Sequence, residues 1–289
     1  AAIIAIDFAI TTAAGSPTPA AHRLGPGAAL ALYARELIDS VRTFQLAQPL
    51  MAGRPLAGET VRPWSPGSPL PVLLVHGYFC NRQLWRPTAR ALAAQGHAIG
   101  AVDLEPVFGS IDAYAARIDD ALRALMARTG APAAHLLCHS MGGLAARAYL
   151  RRFGPQAVAR VVTLGTPHQG TVLARLGHGV NTRQMRPGSD WLAALAAGED
   201  AHTLGRFHVL LSHHDNIVAP QAPQSLPGAH TVEFSGMGHI SLAYDAAVRR
   251  TVIGLLSPGA RAGGEAAGAP EAGARPEAAG RPEASGSAA

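Results

Sequence analysis

The chain has 289 residues, of which 48% are hydrophobic and 15% charged. This composition suits one large α/β domain and excludes an intrinsically disordered protein. The net charge is +5, and all 24 basic residues are arginine. Because these arginines are scattered along the chain, they argue against nucleic-acid binding. The two cysteines are too few for a disulfide framework or a cysteine-based metal site.

Residues 1–25 combine an apolar stretch with a polar loop. The apolar part is interrupted by Asp7 and falls short of the roughly 20 residues that span a bilayer. Two interpretations remain open for it. It is either the remnant of a signal peptide or membrane anchor, or a frayed apolar terminus.

Residues 26–70 are predicted to hold an N-terminal helix and a proline-rich connector. Apolar side chains recur at helical spacing within residues 28–47, at Leu30, Tyr33, Leu37, Val41 and Phe44. We expect this helix to pack outside the main sheet. The connector that follows ends at about residue 70.

Residues 71–257 alternate between predicted strands and helices. The strands cover 71–77, 97–104, 133–140, 158–167, 206–215 and 230–239, and the helices between and after them include 84–96, 110–130, 141–154, 189–198 and 240–257. Ser110 and Gly130 are the expected caps of the second helix. This order predicts an α/β fold with a mostly parallel, doubly wound sheet and helices on both faces. The remaining residues, 258–289, are rich in Ala, Gly, Pro, Glu and Arg and are predicted to be disordered.

Ser140 is the first candidate for catalysis, because chemistry in such sheets is found at the carboxyl ends of the strands. It ends a strand and opens a helix in the stretch "HLLCHSMGG". Gly142 supplies the small residue that a sharp nucleophile turn needs on its far side, whereas Cys138 stands where glycine is usual. By spacing alone, Ser140 is either a nucleophile or the cap of the helix beginning near Met141.

Two later strand ends favour the nucleophile. Asp215 ends the strand in "HVLLSHHDNIVAP", and His239 follows the last strand in "GMGHISL". The order Ser140, Asp215, His239 is that of a nucleophile, an acid and a base on a doubly wound sheet. His239 would accept the serine proton, and Asp215 would orient the imidazole. Asp103 also ends a strand and is the alternative acid, but it precedes Ser140 in the chain.

The negative charge that develops on a substrate oxygen needs two backbone N–H donors. Met141, directly after the nucleophile, is the first predicted donor. Tyr78 is the second, since it follows the first core strand in "HGYFCN". His76 and Gly77 support this loop, and Gly77 allows a close backbone turn. By itself, the His76-Gly77 pair is also compatible with an ordinary strand-ending turn.

Five segments together resemble the bacterial lipases and esterases of the α/β-hydrolase superfamily, in particular the Bacillus and the Burkholderia/Pseudomonas lipases. They are "VLLVHGY", "CHSMGG", "VTLGTPHQG", "DNIV" and "GMGHISL", spread over roughly residues 70–256. The resemblance implies an α/β-hydrolase fold and ester hydrolysis by the same three residues. It also places a histidine such as His139 before the nucleophile. Some members have alanine at the position of Cys138.

On this basis we expect a serine carboxylic-ester hydrolase that cleaves apolar acyl esters without a cofactor or metal. Alternatives with the same triad are a polyester, thioester or amide hydrolase and an acyltransferase, and a catalytically silent binding protein is the alternative from another class. The expected partner is an ester or lipid, with contact to a lipid surface left open. The expected location is bacterial and secreted, periplasmic or membrane-anchored.

Residues 171–205 are expected to form a short lid insertion, because this fold inserts its lid between the corresponding strands. The predicted helix 189–198 has an apolar face of Trp191, Leu192 and Leu195. That face either packs on the core or covers the acyl pocket. A short lid favours small or medium acyl chains.

The other candidates are interpreted as structural. His139 and His168 are expected to pack or form hydrogen bonds. Metal binding by residues 213–215 is disfavoured because neighbouring residues of a strand point to opposite faces. Asp245 is expected to be solvated within the last helix. Cys80 and Cys138 follow strands that are neighbours in this fold, so a disulfide is possible, although two reduced side chains near the site are the simpler interpretation.

Overall fold

A six-stranded sheet forms the centre of the molecule in the computed structural model, which describes residues 1–59 and 63–259. Every pairing in this sheet is parallel, and the strand order is β2-β1-β3-β4-β5-β6. The strands are β1 (Val72–Val75), β2 (Ile99–Val102), β3 (Ala134–His139), β4 (Val158–Leu164), β5 (Phe207–Ser212) and β6 (His230–Phe234). The predicted parallel, doubly wound sheet is therefore confirmed.

Helices cover both faces of the sheet, as predicted. They are α4 (Arg86–Ala94), α5 (Ile111–Thr129), α6 (Met141–Phe153), α10 (Ser241–Tyr244) and α11 (Ala246–Leu256). One apolar core joins α5 and α6 to the sheet, and a second joins α4 and α11 to its other face. Central strands such as "VLLV" in β1 are fully buried because both of their faces are covered.

The ends of α5 follow the predicted capping. The Ser110 side chain accepts a hydrogen bond from the backbone N–H of Asp112, and Gly130 adopts a left-handed conformation after the last turn. The prediction for Asp245 is wrong. This residue interrupts the last helix and is buried, because its carboxylate accepts the first N–H groups of α11 and pairs with Arg35 at 2.6 Å.

The N-terminal residues form helices that lie against the carboxyl end of the sheet, where they line a cavity together with Ser140 and His239. Residues of the apolar terminus form α1 (Ala2–Ala14). The helix predicted over 28–47 runs as α2 (Pro26–Ser40), continues as a π-helical stretch (Val41–Ala47) and ends in α3 (Gln48–Met51). No helix in the described ranges is long and apolar enough to cross a bilayer. The predicted tail, 258–289, lies almost entirely outside the described residues.

Residues 171–205 contain α7 (Val180–Gln184), α8 (Asp190–Ala197) and α9 (Ala201–Leu204). Of the two roles left open for α8, the structure supports packing on the core. Leu192 and Leu195 are buried in the core on the α6 face, and the indole N–H of Trp191 donates to Asp112 at 2.7 Å. None of the residues 171–205 lines the cavity at Ser140.

Candidate active site

Ser140 stands at a strained turn between β3 and α6. Its φ of 54° and ψ of −129° are unusual for a residue with a side chain. A β-carbon on Gly142 would lie 2.6 Å from the carbonyl oxygens of Val75 and His76, and one on Gly77 would lie 2.6 Å from the Ser140 β-carbon. Both glycines are therefore required for the backbone to approach so closely here.

Cys138 fits this turn because it belongs to the strand rather than to the turn. It is fully buried in β3, between Val75 of β1 and Thr163 of β4, and packs in the core beneath α6. Burial raises the pKa of its thiol, so it remains a protonated core group. Both cysteines are free, and Cys80 lines the cavity, where burial raises the pKa of its thiol to about 12.

Asp215 and His239 are joined directly. The Nδ1 atom of His239 lies 2.9 Å from Oδ2 and 3.1 Å from Oδ1 of Asp215. The backbone N–H groups of Ile217 and Val218 donate to Asp215 Oδ1, each at 2.8 Å. The backbone N–H of His239 donates to Asn216 Oδ1 at 2.9 Å. The carboxylate is thus fixed by its own loop. It binds the imidazole of His239 through Nδ1, so Nε2 is available to another group.

The electrostatics favour a charged imidazole at His239. Burial lowers the pKa of His239, but the carboxylate of Asp215, helped by Glu36 and Asp7, outweighs this effect and raises the pKa above the ordinary 6.5. An imidazole in this setting accepts a proton readily. It is also stabilised once it carries the charge.

Ser140 and His239 face one cavity of about 370 Å³. The Ser140 hydroxyl makes no hydrogen bond to His239. Hydrogen bonds between catalytic groups are often long in enzymes without substrate and shorten when substrate binds. The cavity wall is mostly apolar, and much of it comes from the N-terminal helices, through Ile3, Ile4, Leu37, Val41 and Phe44.

The two predicted oxyanion donors flank this turn. Among the described residues, the backbone N–H of Tyr78 makes no turn or loop hydrogen bond to another backbone group, and the N–H of Met141, as the first residue of α6, has no acceptor within the helix. Met141 opens α6, so its N–H also benefits from the positive end of the helix dipole. His76 holds the preceding loop, because its Nδ1 lies 2.8 Å from the Gly77 carbonyl oxygen and its Nε2 accepts the N–H of Leu104.

The alternative acid, Asp103, has a different role. Its carboxylate pairs with the guanidinium of Arg82 at 3.2 Å and accepts the Arg82 backbone N–H at 2.8 Å. It makes no contact with His239. Asp103 therefore fixes the loop after β1, and Asp215 is the carboxylate that meets the histidine.

His139 and His168 are buried, and each makes a polar contact inside the protein. Nε2 of His139 donates to the carbonyl oxygen of His239 at 3.0 Å, and Nε2 of His168 lies 3.1 Å from Thr163 Oγ1. Burial, together with the nearby His239, lowers the pKa of His139 to about 3. A neutral His139 supports the His239 loop without competing for its proton.

Three supporting residues were not predicted from the sequence. Glu36, in α2, accepts the backbone N–H groups of Ile240 and Ser241, both at 2.9 Å. Asn216 binds the backbone of His239. Gly165, after β4, has a φ of 54°, and a β-carbon there would lie 2.9 Å from Asp215 Oδ2 and 3.2 Å from His239 Nδ1. Asn216 and Gly165 lie within the quoted segments "DNIV" and "VTLGTPHQG", which could have pointed to them, whereas Glu36 lies in none of these segments.

Among the described residues, one group of histidine, cysteine or acidic side chains could hold a metal ion: His22, His213 and Glu233. None of the three lines the cavity at Ser140.

The sheet order, the strained serine turn and the Asp–His pair at the carboxyl ends of the strands define an α/β-hydrolase fold. The family model described as the alpha/beta hydrolase fold matches residues 71–179. The chain also resembles bacterial triacylglycerol lipases. It is 36% identical over 113 residues to those of Pseudarthrobacter phenanthrenivorans and Burkholderia plantarii, which is 36% of this chain and 35% and 31% of those proteins. The chain thus matches about a third of the length of these curated relatives.

Solved structures agree on the fold. A Bacillus licheniformis lipase in its mature form superposes with a TM-score of 0.60 at 20% identity, over 71% of this chain and 96% of that one. Aspergillus fumigatus lipase B superposes with a TM-score of 0.54 at 16% identity, over 65% of this chain and 52% of that one.

Proposed function

We propose that the protein is a serine carboxylic-ester hydrolase whose triad is Ser140, Asp215 and His239. The observation that carries this proposal is the strained Ser140 turn, which shares an apolar cavity with a histidine held by a buried carboxylate. Strain of this kind persists only where the surrounding structure enforces it, and it is concentrated at functional sites.

The proposed reaction follows from the chemistry of these groups. His239 Nε2 takes the hydroxyl proton of Ser140 as Oγ attacks the ester carbonyl carbon. The carbonyl oxygen becomes negative and is stabilised by the N–H groups of Tyr78 and Met141. His239 then gives its proton to the leaving alcohol, and an acyl-enzyme remains. Water activated by His239 attacks this ester, and the acid is released from Ser140.

The proposed substrate is an uncharged ester with an apolar acyl chain. A cavity of about 370 Å³ lined by Ile4, Leu37 and Phe44 would bury such a chain and gain roughly 25 cal/mol per Å² of apolar surface. The names of the similar triacylglycerol lipases support the same substrate class.

Contact with a lipid surface is also proposed, because apolar side chains next to the cavity are exposed. Ile3, Phe79 and Val41 line the cavity and are 75%, 60% and 43% exposed. For the location, we propose that the protein is secreted, periplasmic or membrane-anchored, since its substrate would lie at such surfaces. Cell fractionation followed by detection of the protein tests this.

The decisive experiment measures hydrolysis of p-nitrophenyl esters with short to long acyl chains, by the parent protein and by Ser140→Ala. We expect hydrolysis by the parent and loss of at least roughly 10³-fold in kcat for the variant, which keeps its fold. A matched control is Ser189→Ala, which removes a helix cap far from the cavity. Equal activity of Ser140→Ala and the parent would refute the proposed mechanism.

A further inference from the structure

We infer that His22, His213 and Glu233 form a binding site for a divalent cation of the zinc type. The three ligand atoms all lie within 4.8 Å of one another. Glu233 Oε2 is 2.8 Å from His213 Nε2 and 3.7 Å from His22 Nε2. The three residues come from distant parts of the chain and converge on one point.

The donor set fits this cation. Neutral imidazole nitrogens and a carboxylate oxygen bind Zn²⁺ at about 2.0–2.2 Å, so tetrahedral ligand atoms stand about 3.4 Å apart. The 3.7 Å separation already matches this spacing. The 2.8 Å separation must open by about half an ångström, which Glu233 allows because its side chain is 48% exposed. Water would complete the coordination from the solvent side.

The sheet holds two of the three ligands in place. His213 directly follows β5 and is buried, and its backbone N–H donates to Phe234 of β6 at 3.0 Å. Glu233 precedes Phe234 and pairs with Leu211 of β5. His214 is directed elsewhere, because its Nδ1 accepts the backbone N–H of Gly236.

The two imidazoles lie together beside this carboxylate. The ring of His22 lies on that of His213 with centroids 4.4 Å apart, and the Nε2 atoms of both rings lie near Glu233 Oε2, at 3.7 Å and 2.8 Å. Two imidazole nitrogens and one carboxylate oxygen that converge in this way are a donor set that a zinc-type cation uses.

A cation here would tie the N-terminal helices to the sheet. His22 ends the short 3₁₀ turn Ala20–His22, which connects α1 to α2. Both helices line the cavity of Ser140, α1 through Ile4 and α2 through Leu37. The cation would therefore fix the position of the turn from which these two walls of the cavity extend.

Titration calorimetry with ZnCl₂ tests this site on the full chain after treatment with a chelator. We expect one equivalent to bind, and we expect His22→Ala and Glu233→Gln each to weaken binding by roughly 100-fold or more, since even loss of a supporting residue costs 10- to 100-fold. Glu233→Gln preserves size and the contact with His213. The control is His202→Ala, which removes an exposed histidine of α9 and should leave the affinity unchanged.

Proteolysis provides a second readout that does not depend on enzyme activity. Arg23 is exposed and follows His22 directly, so trypsin can cleave there. Zn²⁺ should slow cleavage after Arg23 several-fold in the parent and in His202→Ala, but not in His22→Ala. Equal zinc affinity in the parent, His22→Ala and Glu233→Gln would overturn the inference, as would the absence of zinc binding by the parent. In either case the three side chains form only a structural cluster.

Discussion

Glu36 offers the sharpest test of how this site is held, because it reaches His239 from outside the sheet. Its carboxylate is almost fully buried and accepts the N–H groups of Ile240 and Ser241 with its two oxygens. A protonated carboxyl group would turn its O–H toward one of these donors, so the geometry suits the ionised form. In Glu36→Gln, the amide oxygen can accept one N–H, while the amide NH₂ group faces the other.

The cost of this change is that of one charge-assisted hydrogen bond and one buried unsatisfied N–H. Together these effects are worth about 2.5–6 kcal/mol. Burial raises the pKa of Glu36, because removing its charge from water costs free energy. This cost offsets part of the stabilisation that its two hydrogen bonds provide. We therefore expect the free energy of unfolding to fall by about 2 kcal/mol, which lowers Tm by roughly 4–8 °C in a domain of this size.

The variant should also change the titration of the catalytic base. The negative charge of Glu36 contributes to the raised pKa of His239, so its removal lowers that pKa. Because only neutral imidazole accepts the serine proton, kcat/KM falls as pH decreases through this pKa. The acid limb of the kcat/KM profile should therefore move to lower pH in Glu36→Gln.

Glu199→Gln is the matched control. Glu199 holds the buried guanidinium of Arg147 at 2.6 Å, so its substitution also destabilises the fold by leaving a buried charge poorly paired. Glu199 does not contact the His239 loop, so the acid limb of the kcat/KM profile of Glu199→Gln should stay in place. An unchanged or upward-shifted acid limb in Glu36→Gln would refute the assigned role of Glu36.

Four further outcomes follow from the same geometry. Gly165→Ala should lower the free energy of unfolding by about 1–2 kcal/mol, because a left-handed alanine is strained. Its methyl group would also press on the Asp215–His239 pair, so kcat should fall as well. Chemical denaturation and ester assays measure these two effects, and an unchanged kcat would contradict the second. In the parent, the acid limb of the kcat/KM profile should lie above pH 6.5, since the pKa of His239 is raised. Asp215→Asn should reduce kcat by roughly 10⁴-fold. A comparable loss in Asp103→Asn, without one in Asp215→Asn, would show that Asp103 is the acid. Leu37→Trp should reduce kcat/KM for long acyl esters more than for short ones, because it fills part of the cavity; an equal effect on all chain lengths, measured with p-nitrophenyl esters, would show that the chain binds elsewhere.

The sheet was predictable because its strands are continuous apolar runs separated by capped helices. The order of Ser140, Asp215 and His239 at strand ends then predicted which side chains meet, and the Asp215–His239 contact agrees with it. Residues 141–142 and 77 could be placed because a sharp turn leaves room only for particular neighbours. The catalytic roles of these residues remain predictions.

The N-terminal contribution was not predictable, because hydrophobic spacing shows that a helix packs but not where it packs. The same pattern that predicted the helix over 28–47 gave no sign that Glu36 would bind the loop of His239, more than 200 residues away. Asp245 was misplaced for a related reason. A carboxylate in a helical pattern is usually solvated, and only the structure shows that Asp245 is buried because it caps α11 and pairs with Arg35.

The contacts of Glu36 also determine how short a functional fragment of this protein can be. The part recognisable as α/β hydrolase from its sequence begins at residue 71, yet two backbone N–H groups beside His239 depend on a carboxylate from α2. A fragment trimmed to the recognisable boundary would keep the three proposed catalytic side chains and lose an anchor of the histidine loop. Expression boundaries, fusion points and circular permutations of this chain should therefore be chosen upstream of α2.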